Sequence, residues 1–346
     1  MSETSPSAER RKRVTIRDVA AHAGVSVPAV SKVIRGANGV SSSMRSRVEA
    51  AISALDYRPH ASARGMRGKT FTIGVMLSDL ANPFFAVLVE NMTRVLKTAG
   101  YELMIAPAGD SSETQAHSIE ALIDRQMDGL ILVSPLGAEE YLSSVGSRVP
   151  AVVVGRHGPA KHYDTASGDD VSGAGLVVEH FLALGHRSIA FLAHPEEDAS
   201  DPRLPQNARL EGYRRAMEAA GLGDEIDIVA TGWSQEGGRA AAMELIERRV
   251  LPTAFFAGPD VSAFAALDEF WAADLAVPSD ISVCGYDDTD LSRFAAVGLT
   301  TVDQRGADMG AHSAALLLER MNGRMESRHV LTRPVLVPRR TTAAPR

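Results

Sequence analysis

The 346-residue sequence predicts two parts, a small all-α domain of helix-turn-helix type and an α/β core of two lobes with doubly wound parallel sheets. Three short amphipathic helical patterns occupy residues 14–58, and at least nine short apolar segments alternate with helical stretches after residue 70. Such alternation is typical of parallel sheets that are covered by helices on both faces. Nine strands exceed one comfortable open sheet, which favours two lobes.

Charge supplies a third observation. Residues 1–69 hold 13 Lys/Arg and 5 Asp/Glu, whereas the remainder holds 23 and 38, so a basic segment precedes an acidic body in a chain of net charge −7. A compact basic domain on an acidic body indicates a polyanionic partner. A solvated basic tail is the alternative on charge alone, and the helical pattern of the same residues weighs against it.

The helical patterns of residues 14–58 form a helix, a tight turn and a second helix. Thr15 is suited to cap the first helix, and Gly24 is suited to end it in a left-handed conformation. Ser26 can cap the second helix, and Pro28 falls in its first turn, where a missing N–H costs little. A helix, a glycine-containing turn and a second helix match a helix-turn-helix motif.

The second helix of such a motif enters the major groove of DNA, and its early residues touch base edges. Lys32 can hydrogen-bond to guanine acceptors, whereas Val27 and Ala29 can contact thymine methyl groups. Hydroxyl groups can hold phosphates and fix the register of the complex; those in suitable positions belong to Thr15, Ser26 and Ser31.

Several motifs make the likeness specific. Residues 14–70 read VTIRDVAAHAGVSVPAVSKVIRGANGVSSSMRSRVEAAISALDYRPHASARGMRGKT, and the body contains ANPFF, LALGHRSIAFL, RLEGYRRAMEAAG, SVCGYDD and LTTVDQ. From Val14 onwards the chain resembles the LacI/GalR family of bacterial transcriptional regulators. The resemblance implies base reading by Val27, Pro28 and Lys32. It implies backbone contacts by Thr15, Ser26, Ser31 and Arg35.

Residues 59–69 resemble the hinge helix of that family, which folds on operator binding and enters the minor groove as a dimer pair. The resemblance places His60, Ala63 and Met66 among the DNA contacts. Met66 stands where a leucine usually wedges between base steps, and its long apolar side chain can do the same. A plain flexible linker is the alternative for this segment.

The body resembles type I periplasmic sugar-binding proteins, whose two lobes close around a ligand. Doubly wound sheets bind ligands at the carboxyl ends of their strands. Polar or aromatic candidates at such positions are Asn82, Phe84, Asp110, Ser134, Arg209, Trp233, Asp260 and Asp287. By resemblance, Arg209, Trp233 and Asp287 correspond to sugar contacts, and charged groups with an aromatic face suit a sugar. For Trp233 and Phe84 the alternative is core packing, and for Asp287 it is loop capping.

Enzyme motifs are missing from the sequence. The segment SGAGLVVEH has Val178 where a dinucleotide fingerprint needs its third glycine, and neither a Walker A motif nor a Gly-x-Ser-x-Gly elbow occurs. Cys284 is the single cysteine and lies in an apolar segment, and the histidines lack metal-like spacing. We therefore predict no catalytic residue, no metal and no cofactor.

A solute-binding protein for transport is an alternative from another class, but it requires an export signal, and the polar, basic N-terminus does not resemble one. The sequence contains no apolar run of about 18 residues, so we expect no membrane partner. These features predict a cytoplasmic, nucleoid-associated protein.

Together these observations predict a homodimeric repressor of a near-palindromic DNA operator, controlled by a small-molecule effector between the lobes. We expect a carbohydrate effector; a nucleoside or another metabolite is the alternative. The predicted domains are a disordered tail (1–13), a helix-turn-helix domain (14–58), a hinge (59–69) and a core (70–346). Within the core we expect the first lobe at about 70–168 and 303–327, and the second at about 169–302 and 328–340.

Overall fold

The computed structural model describes residues 14–34, 37, 39–57, 69–195 and 201–346. The chain divides into two compact units, Met1–Phe71 and Thr72–Arg346. The predicted tail at 1–13 and nearly all of the predicted hinge lie outside the described residues. The same holds for four predicted DNA contacts, namely Arg35, His60, Ala63 and Met66.

The first unit contains the three predicted helices, α1 (Ile16–Ala23), α2 (Val27–Ile34) and α3 (Ser42–Ala54). Gly24 ends α1 with φ +63°, the left-handed conformation that glycine adopts without strain. Val19, Val30 and Val48, one from each helix, are completely buried against one another's helices. A small apolar core therefore holds the helix-turn-helix together.

The second unit contains all twelve strands and the other eight helices of the described part of the chain. The strands are β1 (Thr72–Leu77), β2 (Glu102–Pro107), β3 (Gly129–Val133), β4 (Ala151–Val154), β5 (Asp164–Gly168), β6 (Ile189–Leu192), β7 (Asp227–Val229), β8 (Ala254–Phe256), β9 (Ser282–Cys284), β10 (Thr301–Asp303), β11 (His329–Thr332) and β12 (Val335–Val337). The helices are α4 (Pro83–Thr98), α5 (Ser112–Asp124), α6 (Glu139–Arg148), α7 (Asp170–Leu184), α8 (Pro205–Ala219), α9 (Gln235–Glu247), α10 (Asp260–Ala272) and α11 (Gly306–Met321).

The first lobe is built on a six-stranded sheet in the order β11-β5-β4-β3-β1-β2, with every neighbouring pair parallel. Leu88 of α4 and Leu317 of α11 pack on one face of the sheet. Leu122 of α5 and Leu142 of α6 pack on the other face. Helices on both faces make this lobe doubly wound, as predicted.

The second lobe is built on a four-stranded parallel sheet in the order β7-β6-β8-β9. Val178 of α7 and Tyr213 of α8 bury one face, and Leu245 of α9 and Phe270 of α10 bury the other. Strands β10 and β12 form a separate antiparallel pair. Among the described residues, no helix combines the length and apolar character that a membrane span requires.

The chain passes between the lobes three times, after β5, after β10 and between β11 and β12. The predicted lobe boundary after residue 327 is wrong, because β11 pairs with β5 in the first-lobe sheet, from His329 opposite Thr165 to Thr332 opposite Gly168. The physical reason is the otherwise open edge of β5, which β11 covers. The first lobe therefore keeps the chain through Thr332.

Candidate functional site

The exposed face of α2 carries the predicted base-reading residues. Val27, Pro28 and Lys32 are exposed, whereas Val30 and Val33 on the opposite side are buried in the core of the first unit. The same helical periodicity that buries the valines therefore presents the other three side chains to solvent. A short helix with a cationic, partly apolar outer face suits the major groove.

The predicted phosphate-contacting hydroxyls differ in the hydrogen bonds that they already make within the domain. The Thr15 hydroxyl donates to Asp18 Oδ2 at 2.7 Å, and the Thr15 main-chain N–H donates to the same oxygen at 2.8 Å. Ser26 Oγ accepts from the Ala29 N–H at 3.3 Å, which caps α2. Ser31 is half-buried on α2. Thr15 and Ser26 thus serve helix capping in this structure. Ser26 retains its hydroxyl proton for a phosphate, whereas Thr15 would have to release Asp18 before its hydroxyl could donate to one.

In the core, close packing of α7 and α8 positions the predicted arginine. Gly212 lies one turn after Arg209, and a Cβ on Gly212 would lie 2.3 Å from the Val171 carbonyl oxygen of α7. Only glycine permits that approach. Arg209 is 4% exposed, and its Nε donates to Asp170 Oδ1, at the start of α7, at 2.7 Å.

Two aromatic rings lie close to the Arg209 guanidinium. The guanidinium carbon lies 3.7 Å from the centre of the Tyr286 ring and 4.5 Å from that of Trp233. Burial alone would lower the pKa of Arg209, but the Asp170 carboxylate and other nearby acidic groups outweigh it and raise the pKa. The arginine is therefore a fixed cation with a defined plane.

Trp233 is half-buried, and its packing agrees with the core role considered from the sequence. Its Nε1 donates to the Leu192 carbonyl oxygen at 3.0 Å, and its ring packs on the second-lobe core. The ring also lies against Arg209 and 5.4 Å from His194. Anchoring by the indole N–H orients an aromatic face beside the arginine.

Asp287 joins the lobes. Its Oδ2 accepts from Asn82 Nδ2 of the first lobe at 3.1 Å, and its Oδ1 accepts from Gln304 Nε2 at 2.5 Å. Asn82 also caps α4, since its Oδ1 accepts from the Phe84 N–H at 2.9 Å. Burial raises the pKa of Asp287 to about 6, although Arg209 and the two amides oppose the rise. The carboxylate therefore lies in a polar but largely dry position.

The structure gives Asp260 a supporting position. It is completely buried at the start of α10, and its oxygens accept from the Thr289 N–H, the Thr289 hydroxyl and the Thr301 hydroxyl at 2.6–2.8 Å. Burial, with the charge of Asp287, raises its pKa to about 7. These bonds fix the loop that carries Asp287, so the arrangement does not support a direct ligand contact by Asp260.

The remaining predicted ligand contacts are spread out. Ser134 is half-buried at the end of β3 with φ +50°, and Phe84 is 7% exposed and packs against Gly306 at the second crossing. Asp110 is exposed on the loop after β2, the strand at the outer edge of the sheet. The structure therefore brings Asn82, Asp287, Arg209 and Trp233 together and leaves Asp110 away from them.

Three functional candidates escaped the sequence analysis: Asp170, His157 and Gln304. Asp170 is 1% exposed, and its Oδ2 lies 2.8 Å from His157 Nε2. Burial would raise the pKa of Asp170, but Arg209 and His157 outweigh it and lower the pKa. The sign of Asp170, His157 and Gln304 in the sequence is their position, because each follows a strand by one to three residues.

Further charges lie where the lobes approach. Arg156, which is 1% exposed, forms an ion pair with Asp201, and Arg203 pairs with both Glu139 and Asp201. Arg156 and Glu139 belong to the first lobe, whereas Asp201 and Arg203 precede α8 in the second. Two arginines and two carboxylates thus form a balanced cluster across the lobes.

Two family profiles match this chain. The profile described as bacterial regulatory proteins, lacI family, matches residues 15–60, and that of a periplasmic binding protein-like domain matches residues 178–342. The ribose operon repressor of Escherichia coli (strain K12) is 31% identical over 331 residues, which cover 94% of this chain and 98% of that protein.

Solved structures give the same result. A crystal structure of the lac repressor dimer bound to operator and the anti-inducer ONPF is 29% identical, with a TM-score of 0.81, and covers 96% of this chain and 100% of that one. A LacI family transcriptional regulator from Enterococcus faecium with bound ribose is 28% identical, with a TM-score of 0.69, covering 79% and 99%. The helix-turn-helix, the two-lobed core and relatives matched from end to end together show that this chain belongs to the LacI family of bacterial regulators, DNA-binding transcription factors with a ligand-binding domain.

Proposed function

We propose that this regulator is a homodimeric repressor whose operator affinity is controlled by a neutral, hydroxylated small molecule, a sugar, bound between the lobes. The observation that carries the proposal is the fixed arrangement of Arg209 between two aromatic rings, close to Asp287. Arginine and carboxylate groups make charge-assisted hydrogen bonds to vicinal hydroxyls, and an aromatic face covers the apolar side of a sugar ring.

Charge balance favours a neutral ligand over a phosphorylated one. Among the described residues at the meeting of the lobes, Arg209 is paired with Asp170, Arg156 with Asp201, and Arg203 with Glu139 and Asp201. Asp287 is held by neutral amides instead of a salt bridge. A phosphate would need a cation that is not already paired. A nucleoside is also neutral and remains the second candidate, because the indole of Trp233 can stack on a base.

A thermal-shift screen tests the effector class. The full chain is titrated with D-ribose, D-galactose, cellobiose, adenosine and cytidine, and with ribose 5-phosphate as the anionic comparison. A ligand present at 100 times its dissociation constant stabilises the folded state by about 2.7 kcal/mol. We expect neutral sugars to give the largest rise in melting temperature, and Asp287→Ala to abolish it. Stabilisation by the phosphate alone would contradict the proposal, and stabilisation by nucleosides alone would select the alternative.

On the DNA side, we propose that α2 reads the major groove through Val27, Pro28 and Lys32. Thr15, Ser26, Ser31 and Arg35 would contact the backbone, and His60, Ala63 and Met66 would enter the minor groove. The two identical helix-turn-helix domains of a dimer suit a near-palindromic operator. Effector and operator affinities are then coupled reciprocally.

The operator is first identified by sequencing genomic fragments that the protein retains. Met66→Ala should then weaken operator binding, measured by fluorescence anisotropy, much more than sugar binding, because its side chain acts only in the DNA complex. Equal losses in both affinities would overturn the hinge assignment.

A further inference from the structure

His157 connects the two lobes through two hydrogen bonds. It follows β4 of the first lobe, and its main-chain N–H donates to the Arg203 carbonyl oxygen of the second lobe at 2.8 Å. Its side chain reaches Asp170, the first residue of α7, with 2.8 Å between Nε2 and Oδ2. The ring is 19% exposed, so solvent competes little for this bond. One residue of the first lobe is therefore fixed to two segments of the second.

Asp170 passes this connection to Arg209. Its lowered pKa keeps the carboxylate ionised, so it only accepts hydrogen bonds, and His157 Nε2 must carry the proton and donate it. One carboxylate oxygen is thus held by His157 and the other by Arg209 Nε. Because a carboxylate is planar and rigid, fixing one oxygen also fixes the direction of the other.

The arginine depends on that direction. Tyr286 and Trp233 fix the plane of the Arg209 guanidinium, but stacking alone lets the group rotate and slide within the plane. The Nε bond to Asp170 removes this freedom. With the histidine absent, a completely buried Asp170 would retain one unpartnered oxygen and a looser rotamer.

We propose that His157 is a positioning residue for effector binding: from the first lobe it orients Asp170, and through Asp170 it orients the ligand-facing Arg209 of the second lobe. The arginine is then correctly placed only when the lobes are closed on each other, which links lobe closure to the shape of the binding site. This inference rests on the proposed ligand role of Arg209, but the positioning itself is measurable without any effector.

The test observes the Arg209 Nε–H group in the full chain by ¹H–¹⁵N correlation NMR on arginine-labelled protein. Its cross-peak is assigned by its loss in Arg209→Lys, and ring currents from Tyr286 and Trp233 should displace it from the exposed arginines. We expect His157→Ala to shift the peak or to lose it through exchange with solvent. His157→Gln, whose amide can donate to Asp170, should restore it.

An internal control separates positioning from a general loss of structure. The Arg148–Glu120 ion pair lies at the surface of the first lobe, and its cross-peak, assigned by Arg148→Lys, should stay in place in both histidine variants. An unchanged Arg209 peak in His157→Ala overturns the inference, as does equal movement of both peaks or failure of glutamine to rescue. If the Arg209 peak moves as expected while no sugar or nucleoside stabilises the protein, the positioning stands and the proposed effector class fails.

Discussion

Removing the Arg209 charge should destabilise the core because it leaves the buried Asp170 carboxylate without its arginine partner, held by the His157 hydrogen bond alone. The two residues are 4% and 1% exposed, and Arg209 Nε lies 2.7 Å from Asp170 Oδ1. Removal of one partner of a buried ion pair costs about 3–5 kcal/mol. A folding unit of this size loses about 2–4 °C of melting temperature per kcal/mol. Arg209→Met, which preserves most of the side-chain volume, should therefore melt about 6–20 °C below the wild type by differential scanning calorimetry.

Two further measurements identify the cause. Adding Asp170→Asn to Arg209→Met removes the stranded charge and should recover most of the loss. In the single variant only His157 still opposes burial, so the pKa of Asp170 should rise relative to the wild type, and the variant should lose stability relative to the wild type as pH rises. The deficit against wild type should accordingly be smallest near pH 4 and largest near pH 8. An Arg209→Met melting temperature within about 1 °C of wild type, or a double variant no more stable than the single one, would refute the reasoning.

Three other predictions concern separate parts of the molecule. Lys32→Ala should weaken operator binding about tenfold or more in fluorescence anisotropy, since a good base contact is worth about 1–3 kcal/mol. Lys97, exposed on α4, supplies the control, and Lys97→Ala should leave operator affinity unchanged. If the two variants bind the operator equally well, Lys32 does not belong to the reading surface. Gly212→Ala should overpack α7 against α8 and lower the free energy of unfolding, measured by urea titration, by about 1–3 kcal/mol. Gly175→Ala, with nothing within 4 Å of its new Cβ, should raise that free energy by about 1 kcal/mol; the reverse order would contradict the packing. Burial raises the pKa of Asp260 to about 7, so its contribution to stability is present at low pH and is lost as pH rises towards 7. Asp260→Asn should flatten the stability profile between about pH 4 and 7, and parallel profiles would show that Asp260 does not titrate there.

The sequence was sufficient for those parts of the fold that local apolar patterns specify. All nine predicted strands occur, because strands such as β3 and β4 are continuous apolar runs that a parallel sheet buries on both faces. Three strands were missed: β5, β11 and β12. Strand β5 reads Asp164–Gly168, DTASG, without an apolar run. Strand β5 is nevertheless buried, because Asp164 is paired with Arg320 of α11 and with Arg324, which follows that helix. Those partners are more than 150 residues away, beyond the reach of any local pattern.

The same distinction applies to the site. Arg209, Trp233 and Asp287 were predicted because the motifs around them resemble those of the LacI/GalR family; Trp233 and Asp287 also follow strands, whereas Arg209 lies within α8. His157, Asp170 and Gln304 were missed because their roles depend on how closely the two lobes approach, which no local sequence pattern specifies. Asp260 was assigned to the ligand because it follows β8, but Thr289 and Thr301 occupy its oxygens.

Paired charges between the lobes also bear on how this binding site can evolve. Arg156 is held by Asp201, and Asp201 also pairs with Arg203, so a change of Asp201 to asparagine would leave two guanidinium groups beside Glu139 alone. Because removing one partner of a buried ion pair is destabilising, such a change would weaken the contact between the lobes. A change of charge in this region therefore needs a second, compensating substitution, although it requires no alteration of the sheets or of the DNA-reading helix.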